Sequence, residues 1–166
     1  MFQNILVPLD GSYFAETALP YALALATKFD SKLTIARVAQ GTQAIVPSND
    51  DPMYPDTAVF ISQLGDDLDK EAQEYLQSQC NSLRQQGYKT QMCLLHGSDI
   101  AMSLLEVVKT HAIDVVVMCT HGRGGIKRWI FGSVAEKVLR QTSCPILLIR
   151  ADETAVANWQ VGTQDP

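Results

Sequence analysis

Five short apolar segments alternate along this chain with four segments whose apolar residues recur at helical spacing. The strand-like segments cover residues 3–9, 32–39, 89–95, 114–119 and 145–149, and the helical segments cover 14–29, 64–86, 98–110 and 133–141. A helix between every two successive strands requires parallel pairing with right-handed crossovers. The alternation therefore predicts one Rossmann-like α/β domain: a doubly wound, five-stranded parallel sheet of the order 3-2-1-4-5, with helices on both faces.

The size and composition of the chain suit one globular domain. Its 166 residues are 46% hydrophobic and 19% charged, enough to bury a core. A net charge of -5 argues against a general nucleic-acid binder. There is no leader-like start and no apolar run of membrane length, so we expect a cytoplasmic protein with no membrane partner. The four widely spaced cysteines match no metal-binding pattern and are expected to be reduced and buried.

Several segments depart from the simple alternation. Residues 40–55 contain three prolines and predict a long loop that serves as a lid or a mobile insertion. Pro20 lies inside a helical pattern and is expected to kink the helix or to mark the start of its regular part. The acidic run 66–71 predicts a solvated face with an acidic first turn. Residues 151–166 are polar and aperiodic, so the domain is predicted to span 1–150 and to end in a flexible tail.

A glycine-rich segment, residues 119–133, separates the fourth strand from the last helix. Glycines let the backbone approach an anion closely, and a helix start supplies unpaired N–H groups. We therefore expect Gly132, at the helix entrance, to adopt a special backbone φ. The basic residues in the segment favour one small anion such as a phosphate. The alternative is a long turn with solvated basic side chains.

Three loops of the predicted sheet are expected to converge. In doubly wound sheets, ligands bind beyond the carboxyl ends of the strands, where the strand order reverses. The loops are those after strand one (Pro8, Leu9, Asp10), at the end of strand two (Arg37, Val38, Ala39) and after strand four. Their convergence predicts a binding site at this edge.

The chain resembles the universal stress protein family over about residues 2–150. The motifs that carry the resemblance are ILVPLDGS at 5–12, ARV at 36–38, HG at 96–97, DVVVMCTHGRGG at 114–125, FGSVAEKV at 131–138 and CPILLI at 144–149. Each motif is common by itself, whereas their order and spacing together are specific. The resemblance implies a nucleotide-binding domain.

ATP-binding members of that family carry a glycine, two residues, a second glycine, nine residues, a third glycine and then Ser or Thr. Gly122 and Gly132 match the second and third glycines, and Ser133 matches the hydroxyl residue. Cys119 stands in place of the first glycine. Because cysteine is small but has a Cβ, we expect this departure to lower affinity or shift the pose rather than to abolish binding.

The resemblance also implies a role for each matched residue. Pro8, Leu9 and Asp10 would line the adenosine, and the Asp10 carboxylate would bind the ribose hydroxyls. The Val38 backbone would contact the adenine edge. The phosphates would be bound by Gly122, Gly132, Ser133 and Val134. The ligand would be ATP or AMP, with any Mg²⁺ held mainly by the phosphates. The full candidate set is Pro8, Leu9, Asp10, Val38, His96, Cys119, His121, Gly122, Arg123, Gly125, Gly132, Ser133 and Val134.

Each candidate also has a simpler interpretation. Asp10 could be only a turn residue, although its place at a strand end favours a ligand role. His96 lines the adenine pocket or merely ends a strand. For His121 we favour ordering of the loop over general-base catalysis, because no acidic partner lies nearby in sequence. Cys119 is expected to be inert rather than a redox thiol, and Ser133 to bind phosphate or cap a helix rather than act as a nucleophile.

These residues favour a regulatory module of the stress response that binds an adenine nucleotide. The alternatives are a slow ATP hydrolase and a partner-binding dimer whose nucleotide site has decayed at Cys119. The chain has no Walker lysine motif, no magnesium-binding carboxylate cluster and no evident base, so we assign no catalytic residue and expect at most weak ATPase activity. The strand 145–149 is apolar on both faces and predicted at an edge, which favours a homodimer through it. The alternative is a monomer in which the tail after Arg150 folds back and covers this edge, anchored by Trp159.

Overall fold

A computed structural model of the chain describes residues 1–39, 55–120 and 132–150, apart from the side chains of 55–62. The elements follow in the order β1 (Asn4–Pro8), α1 (Tyr13–Glu16), α2 (Leu19–Phe29), β2 (Lys32–Ala39), α3 (Pro55–Gln85), β3 (Lys89–His96), α4 (Ile100–Thr110), β4 (Val115–Cys119), α5 (Ser133–Gln141) and β5 (Ile146–Ile149). All strand pairs are parallel and the sheet order is β3-β2-β1-β4-β5, as predicted. Most of the predicted 40–55 loop and the whole 151–166 tail lie outside the described residues, so the domain boundary stays a prediction.

The sheet has a separate apolar core on each face. Ile5 and Val7 of β1 point to the face covered by α1, α2 and α3, whereas Leu6 points to the face covered by α4 and α5. Every residue of β4 is buried, because helices cover both sides of this central strand. The continuous apolar character of the strand-like segments thus comes from burial on two faces.

Helix α3 corrects one predicted boundary. The sequence pattern placed its start at residue 64, but the helix begins at Pro55 and runs for 31 residues. Proline is favoured in the first turn of a helix, because its missing N–H is unpaired there in any case. The acidic run 66–71 therefore lies in the middle of α3, so the expected acidic first turn was wrong, whereas the predicted solvated face is confirmed, since all of these residues but the half-buried Asp69 are exposed.

Pro20 marks the start of a regular helix, which confirms one of its two predicted roles. The chain forms the single turn α1, passes through Thr17 and Ala18, and begins α2 at Leu19 with Pro20 in the first turn. The missing N–H of Pro20 costs nothing at this position. The bounds of β2 and α5 are those predicted, and the ends of the other strands differ from the prediction by at most one residue.

Asp99 is the N-cap of α4 and also joins that helix to α5. Its Oδ1 accepts the Met102 N–H at 3.1 Å, and its Oδ2 pairs with the Lys137 ammonium. Two hydrogen bonds hold the pKa of Asp99 below its usual 3.8: the one from Lys137 has the larger effect and the one from the Met102 N–H the next largest. The carboxylate therefore stabilises the fold above pH 3.8, and this contribution is lost as the pH falls through the lower folded-state pKa.

We predict that Asp99→Asn lowers the free energy of unfolding at pH 7, because the amide keeps a cap acceptor but loses the ionic contact with Lys137. The difference from wild type should shrink as the pH falls below about 4, where the wild-type carboxyl gains its proton. Urea denaturation at a series of pH values measures this. A difference that stays constant from neutral to acidic pH would contradict the assignment.

Candidate functional site

The strand order reverses between β1 and β4, which lie side by side in the middle of the sheet. From β1 the chain proceeds outward to β2 and β3, and from β4 it proceeds in the opposite direction to β5. The carboxyl ends of all five parallel strands meet at one edge. The turn at Asp10, the end of β2 near Val38, the end of β4 at Cys119 and the start of α5 at Gly132 therefore share that edge.

The turn after β1 positions Asp10. The Leu9 N–H donates to the carbonyl of Ala36 at 2.8 Å and extends the pairing with β2 beyond the last residue of β1. The Asp10 Oδ1 accepts the Ser12 N–H at 2.8 Å across Gly11, whose φ of 80° lies in the left-handed region that favours glycine. Asp10 is thus a turn residue, and the turn holds its half-buried carboxylate at the sheet edge.

The start of α5 lies directly against the end of β4. The Thr120 N–H donates to the Ile149 carbonyl at 2.9 Å, and the Gly132 N–H donates to the Thr120 carbonyl at 2.8 Å. A Cβ on Gly132 would lie 3.1 Å from that Thr120 oxygen. The φ of Gly132 is -59°, which any residue adopts, so the expectation of a special φ was wrong. Close backbone approach, and not unusual torsion, is what favours glycine here.

Gly132, and not Ser133, is the N-cap of α5. As a glycine it provides no side-chain hydrogen bond to the first turn, so the N-cap interpretation of Ser133 was wrong. Ser133 is the exposed first residue of the helix and Val134 is half-buried behind it. The first N–H groups of an α-helix have no partner within the helix and carry its positive dipole end. This end of α5 is therefore chemically suited to an anion.

Cys119 is buried at the end of β4, in register with Ile149 of β5, as expected for a strand-end cysteine. Cys80 is buried in α3, and Cys93 and Cys144 are half-buried. No disulfide joins any of the four cysteines, all of which lie in described parts of the chain. Burial raises the pKa of the Cys80 and Cys93 thiols, which disfavours their reactive thiolate forms.

The structure does not bring His96 next to Asp10. His96 ends the edge strand β3, and the whole of β2 separates that strand from β1, a distance of about 10 Å for two strand spacings. Its Nε2 lies 2.9 Å from Oδ2 of Asp69 in α3. His96 therefore ends a strand, as one of its two interpretations states, and its place in an adenine pocket stays a prediction.

Four of the candidates, His121, Gly122, Arg123 and Gly125, lie outside the described residues. Within residues 1–39, 55–120 and 132–150, no group of three or more His, Cys, Asp or Glu could hold a metal ion. Of the helices in these ranges, none is both long and apolar enough to span a membrane.

Sequence reasoning missed a polar cluster beside the Asp10 turn, formed by Arg37, Glu71, Tyr75, Glu16 and Gln79. Arg37 is 8% exposed, with its guanidinium 5.2 Å from the centre of the Tyr75 ring and 3.3 Å from Glu71 Oε1. Tyr75 and Gln79 donate to the same Glu16 oxygen. A charged residue inside a buried strand was the one available signal, because a buried charge needs a partner.

The family model described as "Universal stress protein family" matches residues 1–150. Universal stress protein YxiE from Bacillus subtilis is 27% identical over 150 residues, which cover 90% of this chain and 100% of that protein.

Solved structures of similar proteins share the fold. Universal stress protein UspA from Lactobacillus plantarum superposes with a TM-score of 0.73 at 22% identity, covering 90% of this chain and 98% of that one. A universal stress protein in complex with cAMP gives 0.55 at 21% identity, covering 90% and 97%. A universal stress protein family protein from Arabidopsis thaliana with AMP bound gives 0.58 at 15% identity, covering 92% and 94%. Because the family model matches residues 1–150 and the fold is shared, this chain belongs to the universal stress protein family.

Proposed function

We propose that this protein binds an adenine nucleotide, ATP or AMP, and acts as a regulatory module in the stress response. The observation that carries the proposal is that the α5 N-terminus, whose N-cap Gly132 has no side chain, and the Asp10 turn both lie at the carboxyl ends of the neighbouring strands β4 and β1. The first feature suits a phosphate and the second suits ribose hydroxyls. The two lie where doubly wound sheets bind their ligands.

In the proposed pose, each end of the nucleotide meets a different part of the edge. The backbone N–H groups of Ser133 and Val134 and the Ser133 hydroxyl bind the phosphates, and any Mg²⁺ is held mainly by those phosphates. Asp10 binds the ribose, Pro8 and Leu9 line the adenosine, and the Val38 backbone meets the adenine edge. Cys119 lies beside the ribose or the phosphates, so its Cβ shifts the pose or weakens the binding.

The relatives support this choice of ligand. One solved universal stress protein is a complex with cAMP and another has AMP bound. Both ligands contain the adenosine and phosphate groups for which the edge is suited.

Since the cysteines form no disulfide, the protein also fits a reducing compartment, and we place it in the cytoplasm.

Titration calorimetry with ATP, ADP, AMP and cyclic AMP tests the proposal, and GTP controls for recognition of the base. We expect at least one adenine nucleotide to bind with a dissociation constant below the millimolar range. An assay of phosphate release on the same samples should show turnover far below the roughly 10 per second of typical enzymes. Absence of binding at millimolar ligand would refute the proposal and favour a partner-binding protein with a decayed site.

We further propose that two copies pair through β5. This strand lies at the edge of the sheet and contains only apolar residues. Ile146 and Leu148 pack on one face, Ile149 packs on the other, and Leu147 is 38% exposed. An apolar edge without a charged side chain is a template for strand pairing, and a two-fold dimer would extend the sheet across both copies.

Leu147→Lys is expected to convert the dimer to a monomer, because it places a charge in the proposed interface while its own side chain is only partly buried in the single chain. Light scattering should give twice the chain mass of 18.2 kDa for wild type and the single mass for the variant. Leu139→Lys, at an exposed position of α5, is the matched control and should remain dimeric. A wild-type monomer at micromolar concentration would contradict pairing through β5.

A further inference from the structure

Helix α1 follows the Asp10 turn directly and consists of a single turn, Tyr13–Glu16. Its one i→i−4 hydrogen bond, from the Glu16 N–H to the Ser12 carbonyl, is long at 3.4 Å. An isolated helical turn is unstable, because fixing its torsions costs more free energy than one hydrogen bond returns. The orientation of α1, and of the turn that leads into it, therefore depends on contacts with other elements.

The main polar contact of this kind joins Glu16 to α3. The Tyr75 hydroxyl donates to Glu16 Oε1 at 2.6 Å, and the Gln79 side-chain amide donates to the same oxygen at 3.1 Å. Helix α3 is itself held on the sheet by the buried side chains of Leu76 and Cys80. Glu16 thus attaches a weak structural element to a firmly packed one.

The surroundings of Tyr75 keep its hydroxyl available as a donor. Burial is the largest cause that raises the pKa of Tyr75, followed by the hydrogen bond to Glu16 and the Glu16 charge, so the phenol stays protonated. The Asp10 carboxylate raises the same pKa, which places its charge within electrostatic reach of the ring. Arg37 lies against the ring and partly offsets these negative charges.

We propose that Tyr75 is a positioning residue for the nucleotide site: through its hydrogen bond to Glu16 it orients α1 and the preceding turn, and so directs the Asp10 carboxylate at the ribose. The inference rests on the proposed function, since it assigns a role in that same site. It adds a residue that lies outside the set predicted from sequence. In this way a residue of α3 influences nucleotide affinity through the Asp10 turn, although α3 is not part of that turn.

Three variants at two positions test this chain of contacts by calorimetry with the tightest-binding adenine nucleotide. Tyr75→Phe removes only the hydroxyl, and we expect affinity to fall about fivefold, the scale of one ordinary hydrogen bond, because the hydroxyl acts on the nucleotide only through Glu16 and the turn. Glu16→Ala should cause a similar loss, whereas Glu16→Gln keeps an acceptor oxygen and should restore most of the affinity. Retained affinity in Glu16→Ala, or equal loss in both Glu16 variants, would overturn the proposal.

Tyr88→Phe is the matched control. The Tyr88 hydroxyl lies 3.3 Å from the Thr27 hydroxyl, between the end of α3 and α2 and away from the carboxyl edge of the sheet, so its removal should leave affinity unchanged. A loss as large as that of Tyr75→Phe would mean that general destabilisation is responsible, and would overturn the positioning role.

A double-mutant cycle with Asp10→Asn separates positioning from structure, since the asparagine keeps an acceptor for the Ser12 N–H. If Tyr75 acts through Asp10, Tyr75→Phe should lower affinity in wild type and have no further effect in the Asp10→Asn background. Equal losses in both backgrounds would refute the inference. If wild type binds no adenine nucleotide, the proposed function fails first; if wild type binds and Tyr75→Phe binds equally well, only the inference fails.

Discussion

Gly132→Val is expected to lower the affinity for adenine nucleotide by about tenfold or more while the protein still folds. The Gly132 N–H already donates to the Thr120 carbonyl at 2.8 Å, and a Cβ would lie 3.1 Å from that oxygen. Relief of this contact must move the start of α5 away from β4. The N–H groups proposed to bind phosphate would move with it, and a branched side chain would also occupy space beside them.

The size of the effect should depend on the added side chain. Gly132→Ala adds the Cβ alone and should cause a smaller loss than valine, because φ at this position suits either residue. Gly97→Ala is a control near the same edge, where a Cβ would meet the movable end of the Ser103 side chain and not the backbone. Calorimetry on variants with unchanged circular dichroism gives the comparison. Wild-type affinity in Gly132→Val would show that the phosphates lie elsewhere.

Leu76→Ala is expected to lower the free energy of unfolding by about 3 kcal/mol. The Leu76 side chain has no exposed surface and lies in the core that α3 forms with β1 and β2. Its truncation removes buried methyl groups and leaves a cavity that the close-packed surroundings fill only in part. Urea denaturation measures the loss as a shift of the midpoint, provided that the slope of the unfolding free energy against urea concentration is the same in both proteins.

Leu68→Ala in the same helix provides the control for Leu76→Ala. Leu68 is 38% exposed, two turns nearer the N-terminus of α3, and its truncation should change the free energy of unfolding by no more than about 0.5 kcal/mol. Equal losses in the two variants would show that burial of Leu76 in this core does not account for its loss. That result would contradict the packing of α3 on the sheet.

The alternation of apolar strands and amphipathic helices was sufficient to predict a doubly wound parallel sheet and most element bounds. These features depend on local periodicity and on the restricted handedness of parallel crossovers, both of which a single sequence contains. Pro20 also acted as its chemistry predicts, at the first turn of α2. The start of α3 was missed because Pro55 suits a loop as well as a first helical turn.

The positions of the candidate residues in the fold were predicted in outline, and the local geometry of several was corrected. The placement of Asp10 and Gly132 at one edge follows from the topology, which the sequence pattern implies. The distance of His96 from Asp10 also follows from the strand order. The torsion of Gly132 and its contact with Thr120 depend on how closely α5 approaches β4, a distance that no local motif specifies.

By itself, the sequence determined the class of fold and the family, because periodicity, turn chemistry and motif spacing are local properties. Only the tertiary structure decided that Tyr75 meets Glu16, 59 residues earlier, and that the buried Arg37 lies against the same ring. Those contacts depend on how α3 is rotated about its axis and how far it is shifted along the sheet. Core packing sets both quantities through many small contributions distributed over the whole chain, and no short segment encodes them.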